Sequence, residues 1–237
     1  MEQTLIRVND GKQELVGADG GQFYCYAIPT KLVTDQDTVN DVVAEFAKPV
    51  LQPDDILFIS EKMVACTQGR AIPMEKIKPG FWARFLCKFV SKTPGGIGLG
   101  MPETMQCAIE ECGLPRILLA TGVSAVGKLF RQKGWFYHVA GEKAAAIDGP
   151  CHWTIPPYNH YVVLSPTEPD KVAKDASNAL GGNLVLIVDL NDRGGKILGG
   201  SAAYKEEDLL PLLRQNPLGQ ADQSTPMGIL RPYKSEK

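Results

Sequence analysis

Residues 184–188, Leu-Val-Leu-Ile-Val, run straight into Asp189-Leu190-Asn191-Asp192-Arg193-Gly194-Gly195. Five apolar residues bounded by polar ones are too few for a core helix and suit a strand buried on both faces. Buried strands of this kind belong to α/β sheets, which bind ligands just beyond the carboxyl ends of their strands. Asp189, Asn191 and Asp192 place three hard-oxygen side chains there. Gly194 and Gly195 let backbone approach a ligand closely. The same residue types make tight turns. A turn and a cation site are therefore both open on these residues alone.

The rest of the chain alternates strand-like and helix-like patterns. Residues 22–28 alternate in polarity and end at Pro29, as a strand would. Val39, Val42, Val43 and Phe46 give residues 35–46 helical spacing, with Asp35 or Asp37 as cap. Residues 56–59 read as a second buried strand, followed at its carboxyl end by Ser60-Glu61-Lys62. Residues 79–90 read as an amphipathic helix. Its Trp82, Phe85 and Phe89 are expected in the core, the other use being a dimer face. A helix is expected from Pro102 to Glu111, closed by Gly113, and another over 169–180, closed by Gly181. Apolar runs at 116–121, 135–140 and 162–164 read as further strands. Residues 207–213 read as a short helix at most. The pattern predicts an α/β or intertwined α+β fold, with a lead-in over 1–20, a main domain over 21–215 and a polar tail of loops over 216–237.

Bulk properties exclude several classes. The chain is 44% apolar and 22% charged, with net charge −2, so it shows no basic excess for nucleic acid. No stretch approaches the ~18 apolar residues of a membrane span. The N-terminus has no secretory pattern, so a cytoplasmic protein without membrane partner is expected. The six cysteines form no C-x-x-C pair and read as free thiols.

Three other motifs carry possible chemistry. Residues 122–128 have the G-x-x-x-x-G-K frame of a phosphate loop, but Leu129 stands where a metal-binding hydroxyl is needed. The glycine run 95–100 suits a structural turn or a phosphate cradle. Asp148, before Gly149-Pro150, suits a turn or a cation ligand.

An ordered set of segments resembles the coenzyme F420-0:L-glutamate ligase family. Residues 55–70, Asp-Ile-Leu-Phe-Ile-Ser-Glu-Lys-Met-Val-Ala-Cys-Thr-Gln-Gly-Arg, resemble its strand-and-loop segment ending in Glu-Gly-Arg. Ile28-Pro29-Thr30-Lys31 stands at its nucleotide-binding start. Residues 162–170 resemble its Pro-x-Asp-Pro-Asp link, and residues 184–193 its aspartate-bearing strand and loop. The resemblance implies a mixed sheet flanked by helices, in a homodimer. It also implies an amide ligase that uses GTP, or another nucleoside triphosphate, with Mg or Mn to join glutamate or a similar amine to a carboxylate acceptor through an acyl phosphate. On that basis Asp189 and Arg70 are the catalytic candidates. Ile28, Pro29, Thr30, Lys31, Glu61, Lys62 and Lys143 would contact nucleotide. Asp189, Asp148, Asn191 and Asp192 would serve the metal.

The chain also departs from the family pattern. Aligned on Ala140-Gly141, Lys143 and Ala146 stand where the family has a metal-binding aspartate and a nucleotide-contacting asparagine. Exchanging a carboxylate for a lysine shifts the local charge by about two, a large change in a partly buried site. The same scaffold could therefore bind a phosphorylated or flavin-like metabolite without turnover.

Overall fold

A computed structural model describes residues 6–18, 21–90, 98–129, 134–192 and 194–234. In chain order the elements are β1 (Leu15–Ala18), β2 (Gly21–Ile28), α1 (Val39–Val42), β3 (Ile56–Ser60), α2 (Glu61–Thr67), β4 (Ala71–Pro73), α3 (Phe81–Leu86), α4 (Pro102–Cys112), α5 (Leu114–Leu129), α6 (Trp135–Ala140), α7 (Glu142–Ala145), β5 (Tyr161–Val163), α8 (Pro169–Leu180), β6 (Leu184–Asn191), β7 (Gly194–Gly200), α9 (Glu206–Leu209) and β8 (Met227–Pro232). Short 3-10 or π turns extend α1, α3 and α9. The chain divides into two compact units, residues 1–69 with 166–237, and residues 70–165.

The first unit holds a mixed six-stranded sheet in the order β1-β2-β8-β3-β6-β7. Only β3 and β6 are parallel neighbours; the other pairs are antiparallel. Alternation splits each central strand between two apolar layers. Leu57, Ile59, Val185, Ile187, Met227 and Ile229 pack with α1 and α8. Phe58, Leu186, Val188 and Leu230 pack with Leu209, Leu212 and Leu213. Gly228 is required in β8, because a Cβ there would run into the Phe58 ring. Helix α8 starts with Pro169 and ends at Gly181 in the left-handed conformation, as the sequence predicts. The expected α/β fold with a mixed sheet flanked by helices is the one observed.

The second unit packs α3–α7 around an apolar core, beside a two-stranded sheet of β4 and β5.

Several elements differ from the sequence reading. Residues 116–121 and 135–140 are helical, not strands. Ile117 and Ala120 are buried while Leu119 is exposed, so the run follows a helical period. The frame 122–128 lies inside α5. Its backbone amides belong to a helix and make no phosphate loop, and Gly127 admits the Trp135 ring at contact distance. Thr38, rather than Asp35 or Asp37, caps α1. The tail supplies β8, a central strand between β2 and β3. Phe81, Trp82, Phe85 and Phe89 are exposed, not core. Residues 95–97 and Arg193 lie outside the described residues.

Candidate functional site

Register aligns one row of the sheet across four strands. Ile28 of β2 is opposite Met227 of β8, Met227 is opposite Ile59 of β3, and Ile59 is opposite Ile187 of β6. All four are fully buried in one apolar cluster. Strands β2, β3 and β6 all run towards the same edge from that row. Two residues further along each stand Thr30, Glu61 and Asp189. The family-implied segments 28–31, 61–62 and 189–191 thus end on one edge of one sheet.

Hydrogen bonds fix this edge. The Thr30 amide donates to the Ser224 carbonyl at 2.9 Å, and the Ser60 amide to the Pro226 carbonyl at 2.8 Å. The Ser60 hydroxyl caps α2 by accepting from the Lys62 amide at 3.2 Å. Glu61 is 6% exposed, an unusual burial for a carboxylate, whereas Lys62 is exposed. By alternation Asp189 and Asn191 continue the face of β6 that carries Val185 and Ile187. That face turns from apolar to oxygen-bearing at its carboxyl end. Lys31 reaches Asp37 at 2.8 Å and Glu45 at 3.8 Å. The Asp37 pairing holds its ammonium above the usual lysine range, and Lys31 in turn holds the Asp37 carboxyl below the usual carboxylate range.

The chain reverses between Asn191 and Gly194, which are register partners. The opening motif is therefore a hairpin tip as well as a strand end. Asp192 is engaged there by Lys12 Nζ at 3.4 Å and by the Asn216 side-chain amide at 3.3 Å. The same hairpin sets Lys196 opposite Asp189, a cation that the sequence reading passed over. Counting back from Asn191–Gly194 through Leu190–Gly195 would have found it.

The other candidates lie in the second unit. Arg70 pairs with Glu111 at 2.7 Å and donates to the Ser165 carbonyl. It ties the segment entering this unit to the segment leaving it. Asp148 forms an isolated antiparallel bridge with Val163, with both backbone hydrogen bonds at 2.9 Å. Lys143 is exposed on α7. Among the described residues no three His, Cys, Asp or Glu side chains form a metal-sized cluster. The six cysteines are free thiols, and burial pushes Cys25 and Cys107 up to about 12, which keeps them protonated.

The chain matches the model of the F420-0:Gamma-glutamyl ligase family over residues 27–198. The chain belongs to that family. The matched span begins just before the Ile28–Lys31 segment and ends beyond the β6–β7 hairpin. Family membership supports a γ-glutamyl ligase acting on small molecules. No curated protein matches the chain. Among the described residues of this ligase-family chain, no helix is long and apolar enough to cross a membrane.

Proposed function

We infer that the chain is a nucleotide- and divalent-metal-dependent ligase that joins an amine, glutamate or a close analogue, to a carboxylate acceptor. The observation that carries this reading is the shared row: Thr30, Glu61 and Asp189 follow Ile28, Ile59 and Ile187 at the carboxyl edge of one sheet. Ligand sites of open α/β sheets occupy that edge.

The residues fit a hard divalent cation that arrives with a nucleotide. Mg²⁺ is commonly held by one or two carboxylates together with phosphate and water oxygens, rather than by a cage made wholly of protein. Asp189, Asn191 and Glu61 offer that donor set, and such an ion would offset the negative charge of the phosphates. Asp192 is turned to Lys12 and Asn216, so it belongs to the hairpin rather than to the donor set.

In this reading the acceptor carboxylate attacks the γ-phosphorus of GTP or another nucleoside triphosphate. The nucleoside diphosphate leaves, and an acyl phosphate forms. The amine then attacks the acyl carbon, releases inorganic phosphate and loses its proton. The chain contributes alignment and charge. The backbone of residues 28–31, fixed to Ser224, borders the nucleotide. Lys62 and Lys196 supply positive charge beside the two carboxylates.

A phosphate-release assay with GTP, Mg²⁺, glutamate and a panel of small carboxylic acids tests the reaction. Release that needs both the acceptor and the amine, and that disappears in Asp189→Ala, is the expected result. Nucleotide binding with no release under any combination would instead favour a non-catalytic binding protein, the outcome to which Lys143 and Ala146 point.

A further inference from the structure

Helix α3 and the turn that follows it show three different faces. Ala83, Leu86 and Cys87 are buried in the core of the second unit. At roughly 100° per residue, Phe81, Phe85, Phe89 and Trp82 fill one outward arc, and Arg84 and Lys88 fill the arc beside it. The four aromatic residues are 73%, 43%, 49% and 42% exposed, in that order. Their rings lean on one another. Phe81 stacks on Phe85 with centroids 6.1 Å apart, Trp82 meets both edge-on, and Phe85 meets Phe89 at 5.1 Å. A contiguous exposed aromatic patch of this kind marks an interaction surface.

Basic side chains outnumber acidic ones around it, where the exposed Glu75 precedes Lys76 and the exposed Glu110 accepts from Gln106, which in turn accepts from the Gly80 amide at the start of α3. Lys76, Lys78, Arg84 and Lys88 are all exposed. No Asp or Glu occurs from Lys76 to Pro102, in a chain whose net charge is −2. We propose that this face docks on the surface of an anionic lipid bilayer. The rings enter the boundary between headgroups and acyl chains, while the lysines and Arg84 lie against lipid phosphates. Aromatic rings flanked by Lys and Arg are the residue types that settle at a membrane–water interface.

A second copy of the chain is the other occupant to test, because a two-fold contact would set residues of this face against different residues of its copy. An acidic protein would answer the charges but would not call for four exposed rings. The expectation of no membrane partner rested on the lack of a spanning segment, and surface docking needs none. One short helix gives weak, reversible and salt-sensitive binding.

Co-sedimentation of the full chain with vesicles tests this proposal. Phosphatidylcholine vesicles containing phosphatidylglycerol are compared with phosphatidylcholine alone. The expected result is binding to the anionic vesicles only, weakened by salt, with about tenfold loss in Lys78→Glu/Lys88→Glu. Phe81→Ser/Phe85→Ser should lose a similar amount while keeping the circular dichroism spectrum, since both side chains are exposed. Should either double variant prove unfolded, Trp82 supplies the readout. A blue shift of its emission on adding anionic vesicles, absent in Trp82→Phe, supports insertion. Equal binding to both vesicle types, or no binding to either, overturns the proposal. So does a wild-type dimer that Phe81→Ser/Phe85→Ser dissociates without any vesicle binding, because the face would then join two copies.

Discussion

The two ends of the six-stranded sheet use charge in opposite ways. At the amino end of β3, Asp55 is sealed inside. Its carboxylate accepts from Arg231 Nε at 3.0 and 3.3 Å, from the Arg231 terminal nitrogen at 2.8 Å, and from the Gln52 amide at 2.8 Å. The same guanidinium donates to the Val50 carbonyl, and the Asn183 amide spans the Gln52 and Asp55 carbonyls. The hydrogen bond to Asp55 raises the Arg231 pKa further, so the guanidinium stays charged. At the carboxyl end of the same strands, Glu61, Asp189 and Asn191 gather oxygen with Lys62 and Lys196 nearby. The first end locks β3, β6 and β8 together. The second end is the edge proposed above as the ligand site. Rigid support at one end is what lets the other hold oxygen atoms in fixed positions.

Substitutions at the two ends should therefore separate stability from activity. Asp55→Ala leaves a largely buried guanidinium unpaired, and we expect a loss of about 3 kcal/mol in urea unfolding. Asp189→Ala should cut turnover roughly a hundredfold, equivalent to about 2.7 kcal/mol at the transition state. Its unfolding midpoint should stay close to that of the parent chain. A large loss of stability in Asp189→Ala would erase the contrast. Gly228→Ala tests the row that joins the ends, because the new methyl meets the Phe58 ring and the Tyr26 carbonyl. A loss of about 1–3 kcal/mol is expected, accompanied by lower activity as β2 and β3 shift against β8.

The smallest effect concerns Lys31 and Asp37. The folded-state pKa of Asp37 is depressed, so its contribution is present above the ordinary carboxylate value of 3.8 and is lost as pH falls through the folded value. Lys31 is raised, so its contribution holds below the ordinary lysine value of 10.5 and is lost as pH rises through the folded one. A carboxyl carbon titration of Asp37 by NMR should show a midpoint below 3.8 that moves up in Lys31→Met.

Sequence patterns revealed the elements whose local signals agree with their surroundings. Residues 184–188 read as a strand because five apolar residues run together, and Val185 to Val188 are buried on alternating faces. Helix α8 read correctly because Pro169 and Gly181 mark its ends. Strand β8 was hidden because Met227-Gly228-Ile229-Leu230 follows a polar, Pro/Gly-rich stretch, and its conformation is set by β2 and β3 on either side. Helices α5 and α6 looked like strands because short apolar runs carry little periodicity. In the candidate site, Glu61 and Asp189 were legible as residues that follow buried strands. Their common row was not, because the register passes through β8. The aromatic patch on α3 was legible as a stripe, but its outward direction depends on which face packs against the core.

Calorimetric titration with GTP in the presence of Mg²⁺, on the parent chain and on Asp189→Ala, tests the carboxyl edge as the ligand site most directly. We expect saturable binding by the parent chain and at least about tenfold weaker binding by the variant, a difference of about 1.4 kcal/mol. Failure of the parent chain to bind GTP or ATP with either Mg²⁺ or Mn²⁺, or equal affinity in the two proteins, would contradict the account.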